Sequence, residues 1–232
     1  MNGSIHPLTI FLRQAEKYFA SLGFEVVEGP EITDEWYNFD SLRMPKWHPA
    51  RDAQDTFYTS DGRVLRAQTS AMQVKAMETR KPPVQIIIPG RVFRNETTDA
   101  THEAIFYQLE GFVIDKNIKM THLVGTLANL VKDIFGEVET KFVPAYFPFV
   151  EPGIEMWMKF SGSNKWLEML GAGMIHPEVL KNMGVDSKVY SGFAFGMGMD
   201  RFTMLAAEFN DIRLSYGGDL RFLKQFKTKE TK

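Results

Sequence analysis

The 232 residues predict an α+β fold, an antiparallel β-sheet with helices grouped to one side. Three observations predict it. Apolar residues recur at helical spacing in the stretches 7–22 and 121–135. Several β-rich runs meet through short polar turns instead of alternating with helices, which excludes a doubly wound sheet. A glycine-rich strand end at 192–198 runs straight into an amphipathic helix.

Each element has its own signal. Pro7 to Leu22 carries a helical stripe of Leu8, Phe11, Leu12, Ala15, Phe19 and Leu22, with Gly23 as its stop. Phe24 to Val27 follows as a strand and ends at Gly29-Pro30. Thr69 or Ser70 caps a helix that reaches about Met77, and Val84 to Ile88 is a β-rich run. Two strands then flank a polar loop between Gly90 and Gly111. Thr121 to Phe135 is a second amphipathic helix, with Leu123, Val124, Leu127, Leu130, Val131 and Ile134 inward. Three more strands are expected at Val138–Val143, Ile154–Phe160 and Lys165–Leu170.

Composition limits the function classes. No linker or low-complexity run divides the chain, so 1–232 reads as a single domain. Hydrophobic residues make up 44%, enough for a substantial core, and most of the 19 Phe and 13 Met belong in it. No stretch approaches the ~20 apolar residues of a membrane span, and no N-terminal signal pattern is present. Without cysteine there are no disulfides or thiolate metal sites, and a reducing cytoplasm is permitted. A chain that grips RNA unaided should show a basic footprint, yet net charge is −2. The one basic run, Lys224, Lys227, Lys229 and Lys232, reads as a solvated end.

Two segments carry chemistry. In Gly90–Gly111, Arg94 and Glu96 share one strand face, and Gln108 and Glu110 share a face on the return strand, because side chains repeat every second residue. Such polar groups on one sheet surface call for a ligand, although a solvated hairpin with a salt bridge is the competing reading. In Ser191–Leu205, glycines at 192, 196 and 198 allow close backbone approach, and Asp200 and Arg201 open the following helix. An arginine there can lie over a purine and reach phosphate, but Gly196-x-Gly198 by itself serves tight packing equally well.

These segments resemble motifs 2 and 3 of the class II aminoacyl-tRNA synthetases. The strings His48-Pro-Ala-Arg51-Asp52, Asp99-Ala-Thr-His102-Glu103, Tyr146-Phe147-Pro-Phe149-Val-Glu151-Pro152, Gly171-Ala-Gly-Met-Ile-His176-Pro177 and Gly192-Phe-Ala-Phe-Gly196 make the likeness specific. In this order they are similar to the α-subunit family of bacterial phenylalanyl-tRNA synthetase, from about His6 to Phe226. The resemblance implies a class II synthetase-like antiparallel sheet flanked by helices. It also implies a ligase that activates phenylalanine with ATP and transfers it to tRNA(Phe).

Roles follow from the resemblance residue by residue. Arg94 would bridge the amino-acid carboxylate and the ATP α-phosphate, and Phe106 and Arg201 would sandwich the adenine, with Glu96 accepting from its amino group. Arg94 and Arg201 are thus the expected catalytic pair. His102 would touch the distal phosphates or the tRNA end, or else be a solvated loop residue. Glu151 would be a Mg²⁺ ligand, with Glu168 and Asp200 as further carboxylates. Phe147, Phe149 and Ala194 would enclose the substrate ring, with the two phenylalanines edge-to-face upon it. Gln68, Ser70, Gln108 and Glu110 would hold the α-ammonium and nearby polar atoms. The helix–strand–Pro segment at 7–30 resembles motif 1, which implies a β subunit or a self-dimer; ordinary sheet packing is the other reading.

Three departures from the family pattern stand out. Gln68 replaces a histidine in Ala67-Gln68-Thr69-Ser70, and glutamine cannot carry positive charge. Asp200 replaces a glutamate before the motif 3 arginine. The family's N-terminal helical arm, which contacts tRNA, is expected to be missing. Two rival expectations therefore remain, a stand-alone paralogue that loads an aromatic amino acid onto a non-tRNA acceptor, and a non-catalytic paralogue.

Overall fold

A computed structural model describes residues 4–52, 55–160 and 164–226. Its centre is a seven-stranded sheet in the order β1-β4-β5-β9-β8-β7-β6. The strands are β1 (Glu25–Val26), β4 (Val84–Phe93), β5 (Ile105–Asp115), β6 (Glu139–Phe147), β7 (Val150–Lys159), β8 (Leu167–Ile175) and β9 (Ser191–Gly198). A separate pair, β2 (Ile32–Thr33) and β3 (Val64–Leu65), lies beside it. Every neighbouring pair of the large sheet is antiparallel except β1 with β4. That one parallel pair makes the sheet mixed within the expected α+β fold. A parallel pair needs a long crossover, and the segment from Val27 to Pro83 provides it.

Helix α1 (Pro7–Ser21) begins with a histidine cap, the His6 ring accepting from the Leu8 amide at 3.1 Å, and with proline in its first turn. Gly23, at φ 87°, turns the chain into β1. Helices α4 (Met120–Phe135) and α6 (Met199–Ala206) join α1 on one sheet face. Leu8, Phe19, Leu123, Leu127 and Phe202 pack there on Leu109, Val113, Phe193, Phe195 and Met197. Those strand residues alternate along β5 and β9, as a sheet with one covered face requires.

The opposite face is not bare, contrary to the expectation that helices gather on one side. Its inner half, Ile86, Ile88, Phe112, Ile114 and Ala194, is covered by α3 (Ala71–Met77) and α5 (Pro177–Asn182). Apolar side chains project from both faces of the central strands, so each face needs a lid. The rest of the chain forms four-residue helices α2 (Glu35–Asn38), α7 (Arg213–Tyr216) and α8 (Leu220–Leu223), with 3₁₀ turns at Asp40–Leu42 and Pro49–Arg51. The lysines at 227, 229 and 232 lie outside the described residues.

One backbone position tests the packing. A Cβ on Gly111 would stand 2.2 Å from the ring of Phe195, which is itself stacked on Phe19 with centroids 5.2 Å apart. The rigid ring has nowhere to go. Gly111→Ala is expected to cost about 1–3 kcal/mol, the range for overpacking. In thermal unfolding it should lower Tm by several degrees, roughly 2–4 °C per kcal/mol at this size. An unchanged Tm would refute the fit.

Candidate active site

The site lies where the second face loses its helical cover. Directly opposed residues on four strands, Glu110 on β5, Gly196 on β9, Gly171 on β8 and Glu155 on β7, run across it in one row. The two central glycines make the floor bare backbone. A Cβ on Gly171 would lie 2.8 Å from the Phe147 ring, and one on Gly196 would lie 2.9 Å from the Gln108 amide nitrogen.

Two adjoining cavities open above this floor. The larger, about 620 Å³, is lined at one end by Phe147, Phe149 and Ala194 and at the other by Gln68, Ser70, Gln108 and Glu110. The smaller, about 380 Å³, is lined by His102, Phe106, Gly198, Asp200 and Arg201. Arg94, Glu96, Gln108, Glu168, Gly171 and Gly196 border both.

The apolar end is built by the turn between β6 and β7. Phe147 and Phe149 stack with centroids 5.9 Å apart and planes 22° from parallel. Ala194, 3% exposed, projects from β9 beneath them. Arg43 secures the turn, donating to the Pro148 carbonyl at 2.7 Å while pairing with Glu178 of α5 at 2.5 Å.

At the polar end sits Glu110, 2% exposed, whose two oxygens accept hydrogen bonds from the Ser70 hydroxyl and the Gln73 amide. Burial raises its pKa to about 7, outweighing the stabilising hydrogen bonds from Ser70 and Gln73. Gln108 accepts from the Thr69 amide at 3.2 Å. The Gln68 amide donates to the Asn38 carbonyl at 3.3 Å, so it braces the wall beside α2.

Arg94 stands between the cavities. Strand β4 stops at Phe93, so Arg94 and Glu96 do not share a regular strand as expected. Their backbones leave the ladder after one further bond, Arg94 N–H to the Ala104 carbonyl at 2.9 Å. Arg94 Nε donates to the Ala67 carbonyl at 3.1 Å, and Glu96 lies 3.9 Å from the guanidinium. The guanidinium also covers the Phe106 ring, 5.0 Å from its centroid. Enclosure by the cavity walls lowers its pKa, but 41% of the side chain faces the open space and arginine keeps its charge.

Across the smaller cavity, Arg201 in the first turn of α6 donates to the Glu168 carbonyl at 3.0 Å. His102 is an exposed loop residue, 3.1 Å from Asp99. Asp200 is a clamp instead of a free carboxylate: it accepts from the Tyr107 amide and from the Tyr216 hydroxyl, each at 2.6 Å. Burial raises its pKa, and the Tyr216 hydroxyl is pushed up by its own burial and by Asp200.

Glu151, expected as a metal ligand, is not brought to either cavity. Val150 turns inward, so its neighbour points away; the Glu151 carboxylate is 75% exposed and 3.3 Å from His176. Among the described residues no cluster of three or more His, Cys, Asp or Glu could hold a metal ion. Glu96 and Glu168 instead border the cavities singly.

One supporting residue of the site, Gln73, and one buried brace of the surrounding loops, Arg66, escaped the sequence reading. Gln73 lies three residues after Ser70, on the same helix face, and that spacing could have identified it. Arg66, 2% exposed, gives its guanidinium to the carbonyls of Gly29, Pro30 and Arg91, and no local pattern announces it.

The profile of the family described as "tRNA synthetases class II core domain (F)" matches residues 1–226. The chain belongs to that family. Among relatives of this class II core, the chain is 51% identical over 228 residues to the phenylalanine–tRNA ligase alpha subunits of Klebsiella pneumoniae subsp. pneumoniae and Proteus mirabilis. It is 50% identical over 235 residues to the phenylalanine–tRNA ligase alpha subunit of Clostridium botulinum (strain Eklund 17B / Type B). Each alignment takes in 97% of this chain and 69% of the relative. The class II core thus carries the sheet, both cavities and Arg94.

Proposed function

We propose that the chain is the catalytic core of a phenylalanine–tRNA ligase α subunit, activating phenylalanine with ATP and passing it to tRNA(Phe). One observation carries this reading: Arg94 separates an apolar cavity with a buried carboxylate from a second cavity faced by an aromatic ring and an arginine.

The larger cavity takes the amino acid. Its side chain meets Phe147 and Phe149 over Ala194, and its ammonium meets Glu110 and Gln108. The parallel stack of the two phenylalanines presents an edge and a face to a third ring, both favourable geometries. The smaller cavity takes ATP, with adenine between Phe106 and Arg201 and with Glu96 and His102 toward its polar edges. The amino-acid carboxylate then attacks the α-phosphorus in line and pyrophosphate leaves. No protein nucleophile is needed; positioning and charge neutralisation suffice. Arg94 donates to carboxylate and phosphate oxygens together through its planar fork.

Glu168 and Glu96 would hold a Mg²⁺ ion, which would supply screening of the phosphate charge. A site of one or two carboxylates suits it, because Mg²⁺ takes its remaining oxygens from phosphate and water. Glu168 and Glu96 fit that requirement better than Glu151.

A β subunit is the expected partner, as the relatives' name implies, with the 7–30 segment as its docking surface. No described helix is long and apolar enough to cross a membrane, in keeping with a cytoplasmic enzyme. ATP–pyrophosphate exchange across the amino acids, with and without a β subunit, tests the reading. Phenylalanine should drive exchange, and its failure to do so in the assembled enzyme would overturn the proposal. Ala194→Gly should deepen the pocket floor by one methyl and admit para-substituted phenylalanines. Unchanged discrimination in the exchange assay would show that Ala194 does not bound the ring.

A further inference from the structure

We propose that Tyr146 is a stacking platform for the unpaired terminal nucleobase of the acceptor nucleic acid, at the mouth of the larger cavity. The inference rests on the function proposed above and extends it to a residue with no assigned role there.

Tyr146 lines the larger cavity, yet 85% of its surface is exposed. The next most exposed large apolar residue is Trp47, at 82%, and its neighbour His48 lines the same cavity. The two most exposed large hydrophobic residues of the described chain thus belong to segments around one opening. An exposed aromatic surface gains nothing from folding, so its placement at a site is informative.

The backbone explains how Tyr146 reaches this position. On β6, Ala145 pairs with Gly153 and Phe147 pairs with Val150, so the register breaks at Tyr146. The extra residue is on β7, where Glu151 and Pro152 together stand opposite Tyr146, and such a bulge disrupts the ladder locally. Neighbouring side chains on a strand point to opposite faces, so with Phe147 set against Gly171 inside the cavity, Tyr146 stands at its rim. Among the described residues the Tyr146 side chain has no aromatic partner and no hydrogen bond. A free ring has two π-faces to offer.

The acceptor must arrive through this opening. ATP and the amino acid fill the two cavities, and the acyl group is formed at Arg94, where they join. The incoming hydroxyl belongs to a terminal nucleoside whose base has no pairing partner. With net charge −2, the chain's overall charge lends little grip on phosphate. Stacking on an aromatic ring is the charge-independent way to hold an unpaired base.

The experiment compares Tyr146→Ala and Tyr146→Phe in the assembled enzyme, reading ATP–pyrophosphate exchange and tRNA charging separately. Wild-type exchange with phenylalanine is read first, since its absence would sink the function itself and not this inference. Tyr146→Ala should keep exchange within about twofold while raising KM for tRNA roughly 5- to 100-fold, the effect of losing one base–aromatic stack. Tyr146→Phe should restore charging, because the ring stacks and the hydroxyl does not. With a tRNA whose terminal ribose lacks its base, wild type and Tyr146→Ala should charge alike. Equal losses in exchange and charging would place Tyr146 in amino-acid binding and overturn the proposal. So would an undiminished Tyr146→Ala penalty on the baseless acceptor, or dissociation of a partner subunit in sedimentation.

Discussion

Arg94→Ala is expected to abolish phenylalanine-dependent ATP–pyrophosphate exchange, with a loss of at least about 100-fold in kcat/KM. The guanidinium borders both cavities and is the only arginine among the described residues to do so. Its removal leaves the carboxylate and the α-phosphate facing each other without a shared donor. Because the attack relies on positioning and charge, no other described side chain replaces it. Arg94→Lys should not rescue, since a point charge cannot give two parallel hydrogen bonds. Stability should change little, as among the described residues the side chain's one direct backbone bond is to the Ala67 carbonyl. Exchange that survives in a folded Arg94→Ala protein would refute the assignment of the catalytic arginine.

Glu110→Gln should produce the second largest loss. A buried carboxylate facing an ammonium makes a charge-assisted contact worth about 1.5–3 kcal/mol, or roughly 10- to 150-fold in KM for phenylalanine. The same residue gives the pH dependence. Burial holds its carboxyl near pH 7, far above the ordinary value of 4.5. Below pH 7 the free enzyme keeps the group protonated, so KM for phenylalanine should rise on acidification through that pH. The variant's KM should be flat there.

Stability runs the other way. An acid whose folded pKa is raised costs nothing below its unfolded pKa and destabilises as pH climbs from about 4.5 to about 7. At full ionisation the cost is roughly 3 kcal/mol, from 1.4 kcal/mol per pKa unit. Glu110→Gln should therefore be more resistant to denaturant than wild type at pH 8 while binding its substrate worse. Denaturant melts at pH 5 and 8 with matched kinetics would check both arms. Equal stability of the two proteins at both pH values would show that Glu110 titrates normally.

Much of this architecture was legible. The apolar stripes of α1 and α4 placed both helices to within about a residue, because each buries one face on a continuous core. The outer strands ran longer than expected. The expected strand stopped at Val143, whereas β6 runs on through Pro144, because β6 is the sheet edge, where a missing N–H costs no ladder bond. The expected strand stopped at Leu170, whereas β8 continues to Ile175 through Gly171 and Gly173, which allow Phe147 and Val150 to press against it. The stretch 31–67 has no periodicity to read, since short bridges and 3₁₀ turns hold it. Likewise Asp200 has the local look of a free carboxylate. Only the fold places it beneath Tyr216, sixteen residues onward, and the Tyr107 amide from another strand.

The two cavities share one boundary, six residues serving as a party wall for both. A tenant on one side that fixes Arg94 and Gln108 spares the other tenant that entropic cost. Affinities must then rise together and by equal factors, whichever molecule arrives first. Phenylalanine should tighten ATP exactly as much as ATP tightens phenylalanine, so neither ligand's dissociation constant has meaning without the other's concentration.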